Sequence, residues 1–340
     1  MSERTKLRSS VNFVGLAFLC LPASMPANAG EITVFDPPGS LGTLPVAIND
    51  SGLITGYYNA NGSTYLGFVR NADGSFVSFS PPTATFTQPT AMNSQGTIVG
   101  QWLVTFNYNF QGFVRDSAGN IAVFAIPGAA VTQPLAINAS GIIVGAYDII
   151  GQQQQAFLRQ PDGQITYIVV PGSISNVAVS INASGQVCGY YNDNSGTTHI
   201  FIRDGEGNYT TFDGPNGQIN VVPIAINDAG LVLGTGFTRD AGGNFTTFAA
   251  PDAGTTGNGG TYAYGLNQAG AICGDYVTSN SSVASFIRYT DGSFGEFVAP
   301  GSGLRNYQQG TRAYSLNDYN SVTGTTVGND GVFHGFLAVP

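Results

Sequence analysis

The stretch Ala136-Ile137-Asn138-Ala139-Ser140-Gly141-Ile142-Ile143-Val144-Gly145 decides the fold, because the chain repeats it seven times. Each copy reads small residue, apolar residue, Asn, two variable residues, Gly, a short apolar run and Gly. The asparagines are Asn49, Asn93, Asn138, Asn182, Asn227, Asn267 and Asn317, spaced by 44, 45, 44, 45, 40 and 50 residues. A glycine stands three residues after six of them, the seventh having Asn320, and another stands seven residues after all of them, from Gly56 to Gly324. Self-similarity at such a period signals a repeat architecture. Asn-x-x-Gly supplies an acceptor side chain and a position suited to positive φ, which is what a tight hairpin needs.

Working outward from the motif, one period holds four short strands. The first ends at the Asn, and the second is the apolar run, as in Thr97-Ile98-Val99-Gly100-Gln101-Trp102. A third carries Phe and Arg (Gly112-Phe113-Val114-Arg115), and a polar turn leads to the fourth (Ile121-Ala122-Val123-Phe124). Four strands in about 45 residues fit a propeller blade and are too much chain for a solenoid coil. Ahead of the first motif lies a lone fourth-strand sequence, Ile32-Thr33-Val34-Phe35, and after the seventh comes a third-strand sequence, His334-Gly335-Phe336-Leu337. The fold class predicted is therefore all-β, a seven-bladed β-propeller with ring closure by the N-terminal strand. Pairing of Ile32 to Pro38 with the strand around Phe336 is its test. Residues 30–340 are expected to form a single propeller domain.

Residues 1–29 have a basic start, an apolar stretch from Val11 to Leu21 and small residues at Ala27-Asn28-Ala29, the layout of a cleaved secretory signal. A secreted or periplasmic product is expected, with no later apolar run long enough to embed in a membrane. Of 11 basic and 20 acidic residues the leader carries three (Arg4, Lys6, Arg8) and one (Glu3), so the remainder holds 8 and 19, a net charge of −11. All eight bases are arginines. So acidic a chain does not hold a phosphate backbone, which excludes nucleic acid as a partner, and without lysine it has no Schiff-base or P-loop chemistry. Cys188 and Cys273 share one repeat position with a whole repeat between them, and read as buried thiols rather than a disulfide. No cofactor and no metal is implied, and a monomer is expected.

Candidate site residues are those that break the repeat or cluster by chemistry. Asp275 is the one acid inside a second strand, where the other copies have Tyr57, Gln101, Ala146, Tyr190, Thr235 and Thr325; an ionised group there wants a partner. Six arginines from Arg70 to Arg288 recur in register and read as scaffold, whereas Arg305 and Arg312 stand outside it and suit an anionic ligand group. The aromatics Tyr58, Trp102, Tyr147, Tyr191 and Tyr276 follow the last motif glycine by two. They read as packing between blades, with a sugar-stacking ring near one mouth as the alternative. His199 and His334 occupy equivalent places in blades four and seven, too far apart to share a metal. Asn192-Asp193-Asn194-Ser195-Gly196 lacks the carboxylates of a calcium loop and reads as a hairpin turn. In the fifth copy Gly234-Thr235-Gly236-Phe237 leaves no room for the usual second hairpin, so that blade is expected to be trimmed at its outer side. A long loop, Gly301 to Thr311, precedes the seventh first strand.

The Ile-Asn-x-x-Gly-x-x-x-Gly element, with His334-Gly335-Phe336, His199-Ile200-Phe201 and Gln155-Ala156-Phe157 at the third strand, resembles the bacterial extracellular HAF repeat family across residues 30–340. That resemblance implies an exported repeat protein and carries no activity. Function is read as a binding or interaction module for a glycan, envelope component or protein surface. The alternative is a propeller enzyme such as a polysaccharide lyase or hydrolase, although no nucleophile elbow, zinc motif or paired acid is present.

Overall fold

The computed structural model describes residues 30–103, 109–255, 259–303 and 308–340; the predicted leader and Arg305 lie outside them. Among the described residues twenty-eight strands form seven antiparallel four-stranded blades. Blade one consists of Thr43–Ile48, Ile54–Asn59, Tyr65–Arg70 and Phe76–Phe79. Blade seven takes Gly310–Leu316, Val322–Val327 and Phe333–Ala338 from the end of the chain and its fourth strand, Ile32–Phe35, from the beginning. The pairing is antiparallel, with Val34 opposite Phe336 and Thr33 opposite Leu337, so the ring closes as the sequence predicts. A parallel bridge from Tyr65 to Phe86 also joins blades one and two. Among the described residues no helix is long and apolar enough to cross a membrane.

The motif residues explain themselves in three layers. The first strand of every blade carries a bulge, as between Pro89 and Ala91, and in every blade but the fifth a first-strand carbonyl lies over the last motif glycine. A Cβ on Gly100 would sit inside the Gln88 carbonyl oxygen and against the Phe113 ring. Opposite each such glycine stands the third-strand Phe, Gly100 facing Phe113 and Gly145 facing Phe157. All seven of these phenylalanines are at most 1 % exposed, and each contributes about 2 to 3 kcal/mol by burial. The glycine is thus the hole that the blade's largest core side chain fills.

The Asn closes the ring. Its Oδ1 accepts from backbone N–H groups of its own turn, Asn93 from Gln95 at 3.1 Å and Thr97 at 3.0 Å. Its Nδ2 donates to the backbone carbonyl of the equivalent Asn in the next blade: Asn93 to Asn138 at 3.1 Å, Asn138 to Asn182 at 3.1 Å, and onward until Asn317 donates to Asn49 at 3.1 Å. Seven side chains therefore stitch neighbouring blades around one mouth of the channel. Turn glycines hold φ near +80°, as at Gly141, and Asn320 adopts φ 60° in the seventh copy, a conformation Asn tolerates.

Further out, the recurring arginines bind blade to blade. The Arg115 guanidinium lies 5.0 Å from the Phe79 ring of blade one, Arg159 lies 4.7 Å from Phe124 of blade two, and Arg239 lies 4.2 Å from Phe212 of blade four. Their scaffold reading stands. Blade five is shortened, its second and third strands being only Val232–Gly234 and Phe237–Arg239. The expected trimming at the outer side needs correction. All four strands remain, and what is lost is the length of the hairpin on the face opposite the Asn ring.

Candidate functional site

The channel has two mouths of different character. At the first, a cavity of about 370 Å³ is lined by the Asn ring and the residue after each Asn. Asp50, Asp228 and Asp318 there accept backbone N–H groups from the preceding blade, Asp318 N–H to Asp50 at 2.9 Å and Ala183 N–H to Asp228 at 2.7 Å. Every polar group named at this mouth serves the ring.

At the opposite mouth the blades differ from one another. Inward-facing positions are set by the first strand's alternation, three and five residues before each Asn, and by the second-strand residue paired with the latter. In blades three to five these are Gln133, Leu135 and Ala146, then Val177, Val179 and Tyr190, then Val222 and Ile224. Across blades six, seven, one and two they become Tyr262, Tyr264 and Asp275, then Arg312, Tyr314 and Thr325, then Leu44, Val46 and Tyr57, then Gln88, Thr90 and Gln101. The channel wall is mainly aliphatic on one side, where Gln133 and Tyr190 interrupt it, and richer in polar and aromatic groups on the other, where the charged pair also lies.

Asp275, 3 % exposed, meets its partner across the blade boundary: Arg312 Nε lies 3.3 Å from its Oδ2. The other carboxylate oxygen is buried without a hydrogen-bond partner. Burial pushes the Asp275 carboxyl up to about 6, with Arg312 and the Tyr264 hydroxyl pulling the other way. Tyr264 and Tyr314 pack edge to face with ring centroids 5.5 Å apart, and Thr325 donates to the Tyr314 hydroxyl at 3.2 Å. Both phenols are raised above their ordinary range by burial. Gln101 donates to Gln88 at 2.7 Å, and Tyr57 stands beside Gln88 and within electrostatic reach of Tyr314. Next to this cluster a cavity of about 600 Å³ opens, lined by Arg312, Tyr314, Gln309, Asp330 and Phe333 among others. Its size is that of a small-molecule pocket.

The other sequence candidates fall elsewhere. Tyr58 and Tyr276 are each 5 % exposed; the Tyr58 hydroxyl bonds Ser78 at 2.9 Å, and Tyr276 engages Glu296. Trp102 is half-buried against the cluster of Val69, Phe79, Ile98 and Phe113, its indole N–H buried without a partner. Tyr147 packs on Tyr167 at 5.6 Å. These side chains sit between blades rather than around the mouth. Tyr191 stacks on His199 at 5.2 Å. His199 Nδ1 lies 2.6 Å from Asp213 and Nε2 lies 3.5 Å from Asp193, and pairing with Asp213 raises its pKa. In blade seven His334 Nδ1 meets Asp36 at 2.7 Å, the Asp likewise following the fourth-strand Phe of the same blade. Each His thus has its own carboxylate, on a third strand away from the axis. Cys188 and Cys273 are buried free thiols, burial pushing Cys188 up to about 12. Among the described residues no group of three or more His, Cys, Asp or Glu side chains is placed to hold a metal ion.

Of the nine candidates, the structure brings together Asp275 and Arg312 at this mouth and, away from it, Tyr191 and His199. The residues that sequence reasoning missed are Tyr262, Tyr264, Tyr314, Tyr57, Gln88 and Gln101. A signal existed: first strands that elsewhere carry aliphatic residues carry tyrosines in blades six and seven.

No protein-family model matches the chain, and no curated protein matches it in sequence. Solved structures share the fold. Virginiamycin B lyase from Staphylococcus aureus superposes with a TM-score of 0.59 at 14% identity, over 91% of this chain and 99% of that one. A streptogramin B lyase gives 0.58 at 12% identity over 91% and 98%. One of two prolyl endopeptidases gives 0.57 at 11% identity, over 85% of this chain and 47% of that one. At such identities the likeness is one of β-propeller architecture, a fold that hosts unrelated activities.

Proposed function

We propose that the protein is an exported HAF-type repeat propeller that binds a saccharide ligand, a glycan or envelope component, at the channel mouth opposite the Asn ring. One observation carries this reading. Only at that mouth, among the described residues, do consecutive blades exchange repeat residues for tyrosines, glutamines and an Asp–Arg pair, beside a cavity of about 600 Å³. Phenol rings offer flat apolar faces to sugar C–H groups, while amides, hydroxyls and the ion pair supply hydrogen bonds to sugar hydroxyls. Export is supported by the layout of residues 1–29 and by the repeat resemblance.

A glycan array probed with residues 30–340 tests the reading, with Tyr264→Ala and Trp102→Ala alongside. Binding that is lost in Tyr264→Ala and kept in Trp102→Ala is expected. Binding that is lost in Trp102→Ala alone would move the site to the blade interfaces, and an empty array would remove the ligand class. A second reading, catalysis at the same mouth, is favoured by one feature: the buried Asp275 carboxyl with an unpaired oxygen beside Arg312. Under it Asp275→Asn would bind a saccharide and fail to convert it.

A further inference from the structure

Resting on that reading, we propose that the ligand is a neutral oligosaccharide lying along an aromatic arc from blade six to blade two, rather than a single sugar in the cavity. The arc begins at Tyr264, 5.5 Å from Tyr314. Tyr57 of blade one comes next, within electrostatic reach of Tyr314. Beyond it the Tyr57 ring is 6.3 Å from Tyr65 and 6.1 Å from Phe86, Tyr65 is 5.3 Å from Phe86, and Phe86 is 6.1 Å from Phe110. All of these side chains remain partly accessible, Tyr264 at 39 %, although core aromatics of the same blades, such as Phe68 and Phe113, are at 0 %.

The backbones of Tyr65, Phe86 and Phe110 bridge neighbouring blades, but the fold gives the ring faces of the row no common task. Interblade packing is already supplied by the recurring Phe, Arg and second-strand aromatics, and the arc residues lie outside that register. A row of tilted, half-exposed rings with Gln88, Gln101 and Thr325 between them repeats one chemistry, an apolar face next to hydrogen-bonding groups. That alternation suits a chain of sugar units better than one unit, because each added ring face meets a further sugar.

Charge selects among saccharides. Arg312 is the only cation among the described residues at this mouth, and Asp275 neutralises it while Asp330 adds a negative charge to the same cavity. Beyond the leader the chain carries a net charge of −11. A polyuronate or sulfated chain would be repelled at long range, and a neutral chain would not.

The test is titration calorimetry of residues 30–340 with size ladders of malto-, cello-, manno- and chito-oligosaccharides, and with oligogalacturonates as the charged counterpart. One neutral series is expected to gain roughly tenfold or more in affinity from disaccharide to hexasaccharide and to bind more tightly than oligogalacturonates. Tyr264→Ala should abolish binding at every length, and Phe86→Ala should weaken only the longer members. Tyr65→Ser serves as a second far-end variant, with circular dichroism reporting the fold of each. Equal affinity at all lengths, or a preference for oligogalacturonate, overturns the oligosaccharide arc while leaving a saccharide site standing. If peptides or no saccharide bind, both proposals fall.

Discussion

The two mouths of this channel are built from the same strands and obey opposite rules. At the Asn mouth seven blades do the same thing, each Asn Oδ1 capping its own turn and each Nδ2 reaching the next blade, so the repeat is a device for closing a ring. At the other mouth blades three to five present mostly aliphatic side chains, with Gln133 and Tyr190 among them, and blades six, seven, one and two present more tyrosines and amides and an ion pair. Symmetry of residue marks what the scaffold needs, and its loss marks where the scaffold leaves freedom for recognition.

The sharpest way to break that contrast is at the invariant glycine. Gly100→Ala drives a methyl group into the Gln88 carbonyl and the Phe113 ring, neither of which can yield without opening the blade. A loss of at least about 4 kcal/mol is expected, seen as a collapse of the thermal transition. A melting temperature close to wild type would mean that the first-strand bulge relaxes.

Next comes a matched pair, one residue from each mouth. Asn138→Ala removes the bond to the Asn182 carbonyl and leaves the Ile142 N–H without its acceptor, costing about 3 kcal/mol. Tyr264→Ala, at a side chain 39 % exposed, should cost about 1 kcal/mol or less in denaturant unfolding while abolishing ligand capture. Equal costs would erase the division between scaffold mouth and recognition mouth.

The smallest effect is the pH dependence carried by Asp275. Its carboxyl, pushed up to about 6 by burial, binds a proton more tightly in the folded chain than in the unfolded one, where the ordinary value is about 4. Its contribution to stability is therefore greatest below pH 4 and declines as pH rises to about 6. Asp275→Asn has no such decline, so the variant should gain on wild type by on the order of 2 kcal/mol across that window, read from melts at pH 4, 5, 6 and 7. Parallel curves would show that Arg312 keeps the carboxylate ionised throughout.

The ring was legible in the sequence because it is repetitive: Asn-x-x-Gly and the later Gly recur seven times, and Ile32–Phe35 stands apart as an orphan fourth strand. Asp275 was legible because a carboxylate interrupts an otherwise uncharged second-strand position. Arg312 was legible too, as an arginine outside the repeat register, but not as its partner, since the contact crosses from a second strand to the next blade's first strand, 37 residues on. Trp102 and Tyr58 drew attention because aromatics recur at their position, yet recurrence is the mark of packing. The arc of Tyr264, Tyr314 and Tyr57 escaped notice because which first-strand residues face the axis depends on the bulge.

Closure by Ile32–Phe35 also sets an order of events. Thr33 is among the earliest-made residues of the ring and its partner Leu337 among the latest, so the strand that completes blade seven must wait for nearly all the intervening chain to be synthesised. Until then both edges of the growing sheet array lie open to other chains, and contacts of such sequence separation form slowly. A chain released early, lacking Phe333–Ala338, would be left with Ile32–Phe35 unpartnered at one end and an open edge on Val322–Val327 at the other, turning a loss of a few residues into a hazard of self-association.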